Sequence, residues 1–432
     1  MAGHGAPHPF TIPNFRAYWL SRFTGTIAVS ALAIVLGWQV YSIARDPNGL
    51  AMTIKEASFL LGMIGAAQFV PLFLLTPLVG LAADSMDRRW IVRITTGVLV
   101  LTAAMLGLFT WADRLSLPVL FTAAVLIGCV RAFSGPAYSA LAPNLVPRES
   151  LPTAIAVSSI AWQVGTIAGP SLGGLLYAIH PDTAYAAITG LLVVALLAIF
   201  LIGPVPQPPV QKDHRVLARI IDGFAYVRRN RLVLAAITLD LFVVLLAGAT
   251  ALLPIYARDI LHVDASGLGI LAAAMGVGAA ATACYFSVRP MKANVGVKML
   301  ASVIVFALAI LTFGLSTHFW LSFTALVVAG AADMVSVYVR QSLIQLHTPD
   351  AMRGRVSAVS QLTISASNEL GEAESGLLAS LLGPVGAVLF GGSAAILVTL
   401  AWARLFPELR LAKTFDPPEM LDIEPQHGVI TP

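Results

Sequence analysis

The chain has 432 residues, of which 58% are hydrophobic and only 11% are charged, whereas globular proteins carry about 25% charged residues. No water-soluble core uses that much apolar sequence, so composition excludes a soluble domain and leaves an integral membrane protein. The formal charge of +4 requires no nucleic acid, and Cys129 and Cys284, both inside apolar runs, support neither a disulfide framework nor a metal site.

Met1 to Pro13 is polar and rich in Pro and His without a basic stretch, so a cleaved signal peptide is not expected. A membrane helix needs about 20 mainly apolar residues. In chain order the apolar runs predict spans near 15–44, 56–82, 90–112, 116–140, 151–179, 183–203, 232–257, 266–288, 296–316, 319–345, 355–382 and 384–406. The expected fold class is all-α and integral to the membrane, with twelve transmembrane helices in two pseudo-symmetric six-helix bundles. The division is an N-terminal bundle over 1–203, a cytoplasmic linker over 204–231, a C-terminal bundle over 232–406 and a cytoplasmic tail over 407–432. The linker opens Pro-Val-Pro-Gln-Pro-Pro and continues from Arg215 as an amphipathic basic segment, suited to a helix lying on the membrane surface.

Basic residues set the orientation. The side that holds the termini and the linker collects 20 of the 26 Lys and Arg. The other side holds Arg45, Lys55, Arg114 and Arg258, and Arg131 and Arg340 fall inside spans. Both termini are therefore expected in the cytoplasm, in the cell inner membrane. The halves also repeat at an offset of 202, which lays Gly169 over Gly371, Gly174 over Gly376 and Arg131 over Asp333. Six plus six spans with an internal repeat is a transporter design with its binding site at the midplane.

A charge at mid-bilayer costs about 2.5–3.5 kcal/mol on insertion scales, so Arg131, Asp240, Asp333, Arg340, Glu369, Glu372 and Glu374 each call for a reason. Ser365, Asn368, Glu369 and Glu372 share one face of span eleven, and Glu374 points elsewhere. A desolvated carboxylate can bind and release a proton near neutral pH, which makes Asp333, Glu369 and Glu372 candidates for proton coupling with Arg131. The structural alternative for Asp333 is an ion pair with Arg131 or with Arg340. For Asp240 and Glu374 the structural reading is preferred, with Asp240 the next acid to test for coupling. Trp38, Tyr41, Tyr138, Trp162 and Arg340 are candidates for a cavity lining, against a plain packing role for the aromatics.

Span two ends in Gly80-Leu-Ala-Ala-Asp84-Ser-Met-Asp87-Arg88-Arg89, a carboxylate and an arginine pair suited to latching helix ends, or to simple anchoring on the cytoplasmic side. Span five contains Gly165, Gly169, Pro170, Gly173 and Gly174. A soluble helix tolerates such residues poorly, whereas a membrane helix uses small residues to approach a neighbour closely.

These segments resemble motifs of the major facilitator superfamily over essentially the whole chain. Gly80 to Arg89 is similar to its loop 2–3 gating motif, with Asp87 in place of a glycine and Ser85 in place of an arginine. Asp tolerates a left-handed turn, so the loop is expected to keep its shape. Arg131-Ala-Phe-Ser-Gly135 resembles the span-four motif Arg-x-x-Gln-Gly, and Gly165 to Gly174 resembles the antiporter motif. Asn14 to Arg22, Asp222 to Arg231 and Asn368 to Gly376 resemble the branch that holds macrolide exporters and the enterobactin exporter. The resemblance implies proton-driven efflux of a drug-like molecule or siderophore by alternating access. A proton-coupled importer on the same fold is one alternative, and a non-transporting scramblase or assembly factor is another. No nucleophile–base pair, phosphate loop or metal cluster stands out, so no enzyme is expected. The implied partners are a small-molecule substrate, protons and lipids, with no nucleic acid, no cofactor beyond the proton gradient, and a monomeric state.

The topology is tested by membrane-impermeant maleimide on a cysteine-free background. Cysteines at Asp46, Asp113 and Asp182 should label from outside, and cysteines within 204–231 only from inside. Reversed labelling would overturn the orientation and the charge argument beneath it.

Overall fold

The computed structural model describes residues 7–204 and 216–415, with the side chains of 76–85, 216–220 and 350–351 outside that description. Among these residues the structure is helical and contains no strand. The first six long helices are α1 (Pro13–Ala44), α2 (Ile54–Ser85), α3 (Arg88–Trp111), α4 (Leu117–Leu141), α5 (Leu151–Ile179) and α6 (Pro181–Phe200). The linker contributes α7 (Val216–Arg229). The second half is α8 (Arg231–Leu246), α9 (Ala265–Val288), α10 (Val295–Leu315), α11 (Phe319–Leu346), α12 (Asp350–Leu382) and α13 (Pro384–Leu405).

Local chemistry explains where these helices start. Proline occupies the first turn of α1, α4, α5, α6 and α13, where its missing N–H costs nothing. The Asn230 side chain accepts from the Val233 N–H to cap α8, and Asp264 accepts from the Gly267 N–H to cap α9. Eleven of the described helices are long and apolar enough to cross a membrane. The twelfth crossing is α12, whose 33 residues include Glu369, Glu372 and Glu374.

One predicted span is present as a crossing over Arg231–Ile260 but is not a single regular α-helix. The run near 232–257 is helical only to Leu246, then continues as the short turns Ala249–Leu252, Leu253–Ile255 and Tyr256–Ile260. The cause is close packing at Gly248. A Cβ there would stand 2.8 Å from the Gly371 carbonyl oxygen in α12, and Pro254 cannot donate to the helix ladder.

Within the N-terminal bundle α1 packs on α5 and α6, α2 on α4, and α3 on α4 and α6. Within the C-terminal bundle α9 packs on α11, α10 on α11 and α13, and α8 on α12 and α13. The bundles meet along two seams, α5 on α9 and α2 on α12. The sequence repeat has a physical counterpart here. A Cβ on Gly128 of α4 would strike the Gln68 carbonyl oxygen of α2, and one on Gly330 of α11 would strike the Met275 carbonyl oxygen of α9. The linker helix α7 docks on the end of the second bundle, where Tyr226 Oη donates to the His347 carbonyl at 2.7 Å and Arg355 pairs with Asp222 at 2.9 Å.

The glycines of α5 serve two neighbours. Gly165, Gly169 and Gly173 face α1, where added Cβ atoms would lie 2.8 Å from Thr26, 2.6 Å from the Ile27 carbonyl oxygen and 2.9 Å from the Ala31 backbone. Gly174 faces α9 instead, against Gly269, whose own Cβ would lie 2.6 Å from the Pro170 carbonyl oxygen. The second seam repeats the device, with Gly62 of α2 against Gly376 of α12. Backbone meets backbone at both seams, so no side chain can rotate aside to accept a larger residue.

Gly376→Ala should therefore lower the thermal midpoint of the purified protein and stop transport. Gly190→Ala is the control, since nothing lies within 4 Å of the Cβ it would add. It should leave transport intact and gain up to about 1 kcal/mol from helix propensity. Equal behaviour of the two variants would show that the seams do not depend on backbone contact.

Candidate functional site

Gly128 pulls α4 onto α2, and one turn later Arg131 emerges at mid-helix. Its Nη1 donates to Gln68 Oε1 of α2 at 3.5 Å and forms an ion pair with Glu369 Oε1 of α12. This pair joins the two bundles part-way along α4 and α12. Its members differ in surroundings: the Arg131 side chain is 42% exposed, the Glu369 side chain 1%. Glu369 Oε2 is buried without a hydrogen-bond partner among the described residues. Glu372, one turn further along α12, lies over Gly65 of α2, where an added Cβ would stand 2.8 Å from the Glu372 Cβ. Gly65 and Gln68 thus form a face of α2 that makes room for both acids. The spacing Gly62-x-x-Gly65-x-x-Gln68 carried that signal in the sequence.

The other buried cation has its own acid. Arg340 of α11 pairs with Asp240 of α8, with side chains 4% and 7% exposed. Arg340 is therefore buried within the second bundle against its own acid. Asp333 forms no ion pair among the described residues, since Arg131 and Arg340 each take a different acid. Glu374 keeps one oxygen buried without a partner, on a face apart from Glu369.

Polar exposure marks a path between the bundles. Arg131, Gly135 and Ser139, four residues apart on α4, are exposed, as are Gln361 and Asn368 on α12. Polar groups on membrane helices face protein or water rather than lipid. Trp162 of α5 is exposed as well, and Tyr138 of α4 is half-buried beside it, its Oη 2.9 Å from Ser21 Oγ. Trp38 takes the packing role. It packs against a buried core that contains Tyr41 and Leu61 from the first bundle together with Leu239, Leu253 and Phe313 from the second.

The part of that core shared by the two bundles, around Tyr41, Leu61 and Leu253, lies at the end of α1 away from its start, and polar contacts reinforce it there. Tyr41 Oη donates to Asp259 Oδ2, Arg45 pairs with Asp259 Oδ1 at 3.1 Å, Arg258 donates to the Ser42 carbonyl and Lys55 to the Leu381 carbonyl. Ser171 of α5 adds a contact to the Gly269 carbonyl of α9 along the other seam. The sequence reading placed Arg45 and Arg258 at this end but missed the latch, because its partners come from opposite halves of the chain.

Gly80 and Asp84 lie in the last turns of α2, where the side chains are outside the description, and Asp87 lies in the loop that follows. Asp87 is not left-handed. Its φ is −60° and its ψ 122°, and its carboxylate caps α3 by accepting from the Arg89 N–H at 2.9 Å. The hydrogen bond from the Arg89 guanidinium, helped by its charge, holds the Asp87 carboxyl below the usual carboxylate range. Arg88 donates to the Ala140 carbonyl at the end of α4 and Arg89 to the Ile202 carbonyl beyond α6. Both arginines meet the negative ends of helices of their own bundle.

The architecture is that of a major facilitator transporter. It matches a POT family transporter solved in complex with 5-aminolevulinic acid with a TM-score of 0.73, at 14% identity over 92% of this chain and 97% of that one. It also matches a D-xylose–proton symporter with a TM-score of 0.68, at 14% identity over 91% of this chain and 98% of that one. These likenesses concern the fold. The chain belongs to the transmembrane secretion effector family, whose model matches residues 4–428. Enterobactin exporters are similar to it throughout: that of Citrobacter koseri is 25% identical over 96% of both chains, and that of Escherichia coli strain SMS-3-5 is 25% identical over 95% of both.

The two buried pairs should respond differently to neutralisation. Asp240→Ala leaves Arg340 buried and uncompensated, a loss of about 3–5 kcal/mol. Glu369→Gln leaves Arg131 with access to water, and should cost about 1 kcal/mol or less. Thermal unfolding in one detergent compares them. Equal losses would refute the division into a fixed pair and a releasable one.

Proposed function

We propose that this multi-pass membrane protein is a proton-coupled secondary exporter of a drug-like small molecule or siderophore. It works by alternating access, with both termini in the cytoplasm. One observation carries the reading: Glu369 is buried in one bundle, and the cation that neutralises it, Arg131, belongs to the other. Any motion that parts α4 from α12 separates the pair. A carboxylate left without its cation in a dry setting takes up a proton rather than stand as an isolated charge. Rejoining Arg131 expels that proton. Proton traffic is thereby tied to the swing, with Glu372 and Asp333 as further acids in the same bundle.

The latch formed by Tyr41, Arg45 and Asp259 closes the far side in the conformation observed, so the polar path opens toward the termini. A substrate enters there from the cytoplasm, and release requires the latch to part. The Gly-to-Gly seams serve as fulcra, because they hold backbones together without interlocking side chains. The similarity to proteins named enterobactin exporters supports a siderophore or a comparably sized organic molecule as cargo.

The test uses everted membrane vesicles with an acidified lumen, presented with ethidium, a labelled macrolide and labelled enterobactin. At least one should accumulate, and a protonophore should abolish the accumulation. Glu369→Gln should retain binding but lose accumulation against a gradient. Accumulation only in right-side-out vesicles would replace export by import. If the combined Asp333→Asn, Glu369→Gln and Glu372→Gln variant still pumps, coupling lies elsewhere.

A further inference from the structure

Arg22 stands nine residues inside α1, well past the helix start at Pro13. It is half-buried and has no carboxylate partner among the described residues, in contrast to Arg131 and Arg340. Its Nε is buried without a hydrogen-bond partner. Its guanidinium instead lies over two aromatic rings, with Cζ 5.9 Å from the Tyr138 centroid and 5.5 Å from that of Trp162. Cation–π contact offsets only part of the hydration that an arginine gives up on entering a membrane. Its Nε keeps a donor for which the protein supplies no acceptor among the described residues, and Tyr18 stands close enough to share the guanidinium.

The surroundings are built to hold that arginine in place. Tyr138 Oη is tied to Ser21 Oγ at 2.9 Å, and Tyr18 Oη donates to the Tyr138 carbonyl at 3.2 Å. Tyr18 and Ser21 are buried, so the floor of the cluster is rigid. Trp162 is different: its side chain is 52% exposed, and it stands one turn before Gly165, where α5 is pressed onto α1. A flat, half-exposed indole beside a cation without a counter-charge is a surface for a flat anion.

We infer that Arg22, Tyr138 and Trp162 form an anion subsite in the transport path, which takes the charged end of a substrate whose carboxylate or phenolate is carried on an aromatic ring. Arg22 supplies the charge and N–H donation, and Trp162 stacks on the ring. The subsite deepens the export reading and rests on it for the identity of the ligand as cargo.

Binding to the purified protein, without membrane or gradient, separates this inference from the direction and coupling of transport. The probes for calorimetry are salicylate, its neutral amide salicylamide, and hexanoate as an anion without a ring. Salicylate should bind at least tenfold more tightly than either of the others. Arg22→Gln should reduce salicylate to the level of salicylamide and leave salicylamide unchanged, and Arg22→Lys should restore part of the loss. Trp162→Ala should weaken both aromatic probes and spare hexanoate. The inference is overturned if the wild-type protein binds none of the probes, if hexanoate matches salicylate, or if a monodisperse Arg22→Gln protein binds salicylate as tightly as before. Failure of export in vesicles with salicylate binding intact would instead remove the transport reading and leave the site.

Discussion

Every charge that this chain carries into the bilayer must be met by another charge, by water or by the face of a ring, because hydrocarbon supplies none of them. The structure uses all three. Asp240 and Arg340 satisfy each other inside one bundle and make a fixed part of its core. Arg131 and Glu369 satisfy each other across two bundles, with the arginine partly in water, so their contact depends on the relative position of the halves. Arg22 leans on Tyr138 and Trp162 and keeps its Nε donor unused among the described residues. The three arginines have the same chemistry, and what surrounds each guanidinium decides its part.

The second constraint is closeness of backbones. Lipid tails are as apolar as leucine, so association of these helices rests on packing rather than on escape from water. Glycine is the device throughout: Gly128 and Gly330 inside the bundles, Gly174 with Gly269 and Gly62 with Gly376 between them. A seam without interlocking side chains is tight and yet has little to unlock. In the far half an apolar core shared by both bundles and the Tyr41–Asp259–Arg45 latch complete the closure. Opening that side means breaking a charged, half-buried contact together with apolar packing, a cost that the proposed cycle meets by charge changes at the Arg131–Glu369 pair.

The loop between α2 and α3 shows how a motif can keep its residues and change its geometry. Asp87 stands where the family places a glycine, and the left-handed turn expected of it is absent. Its carboxylate instead caps α3 and gathers Arg89, while Arg88 and Arg89 satisfy carbonyls at the ends of α4 and α6. The carbonyls that Arg88 and Arg89 reach belong to the N-terminal bundle, whose helix ends they brace.

The sequence by itself determined the twelve helices, their limits to within a few residues at most positions, and the repeat, because membrane spans are written as local runs of apolar residues about one bilayer long. It also marked the residues that matter by their oddity, since a charge or a glycine inside such a run stands out without any knowledge of its neighbours. The partners of those residues were another matter. The sequence offers Asp333, Glu369 and Glu372 alike to Arg131, and the structure pairs it with Glu369. Nothing in the sequence joins Arg340 to Asp240, or Trp38 to the core that the halves share. The far latch and the Arg22 cluster went unseen, and the break after Leu246 appeared only where Gly248 meets Gly371. Such pairings are set by which helix faces turn toward one another across hundreds of residues, and only the tertiary structure decides that.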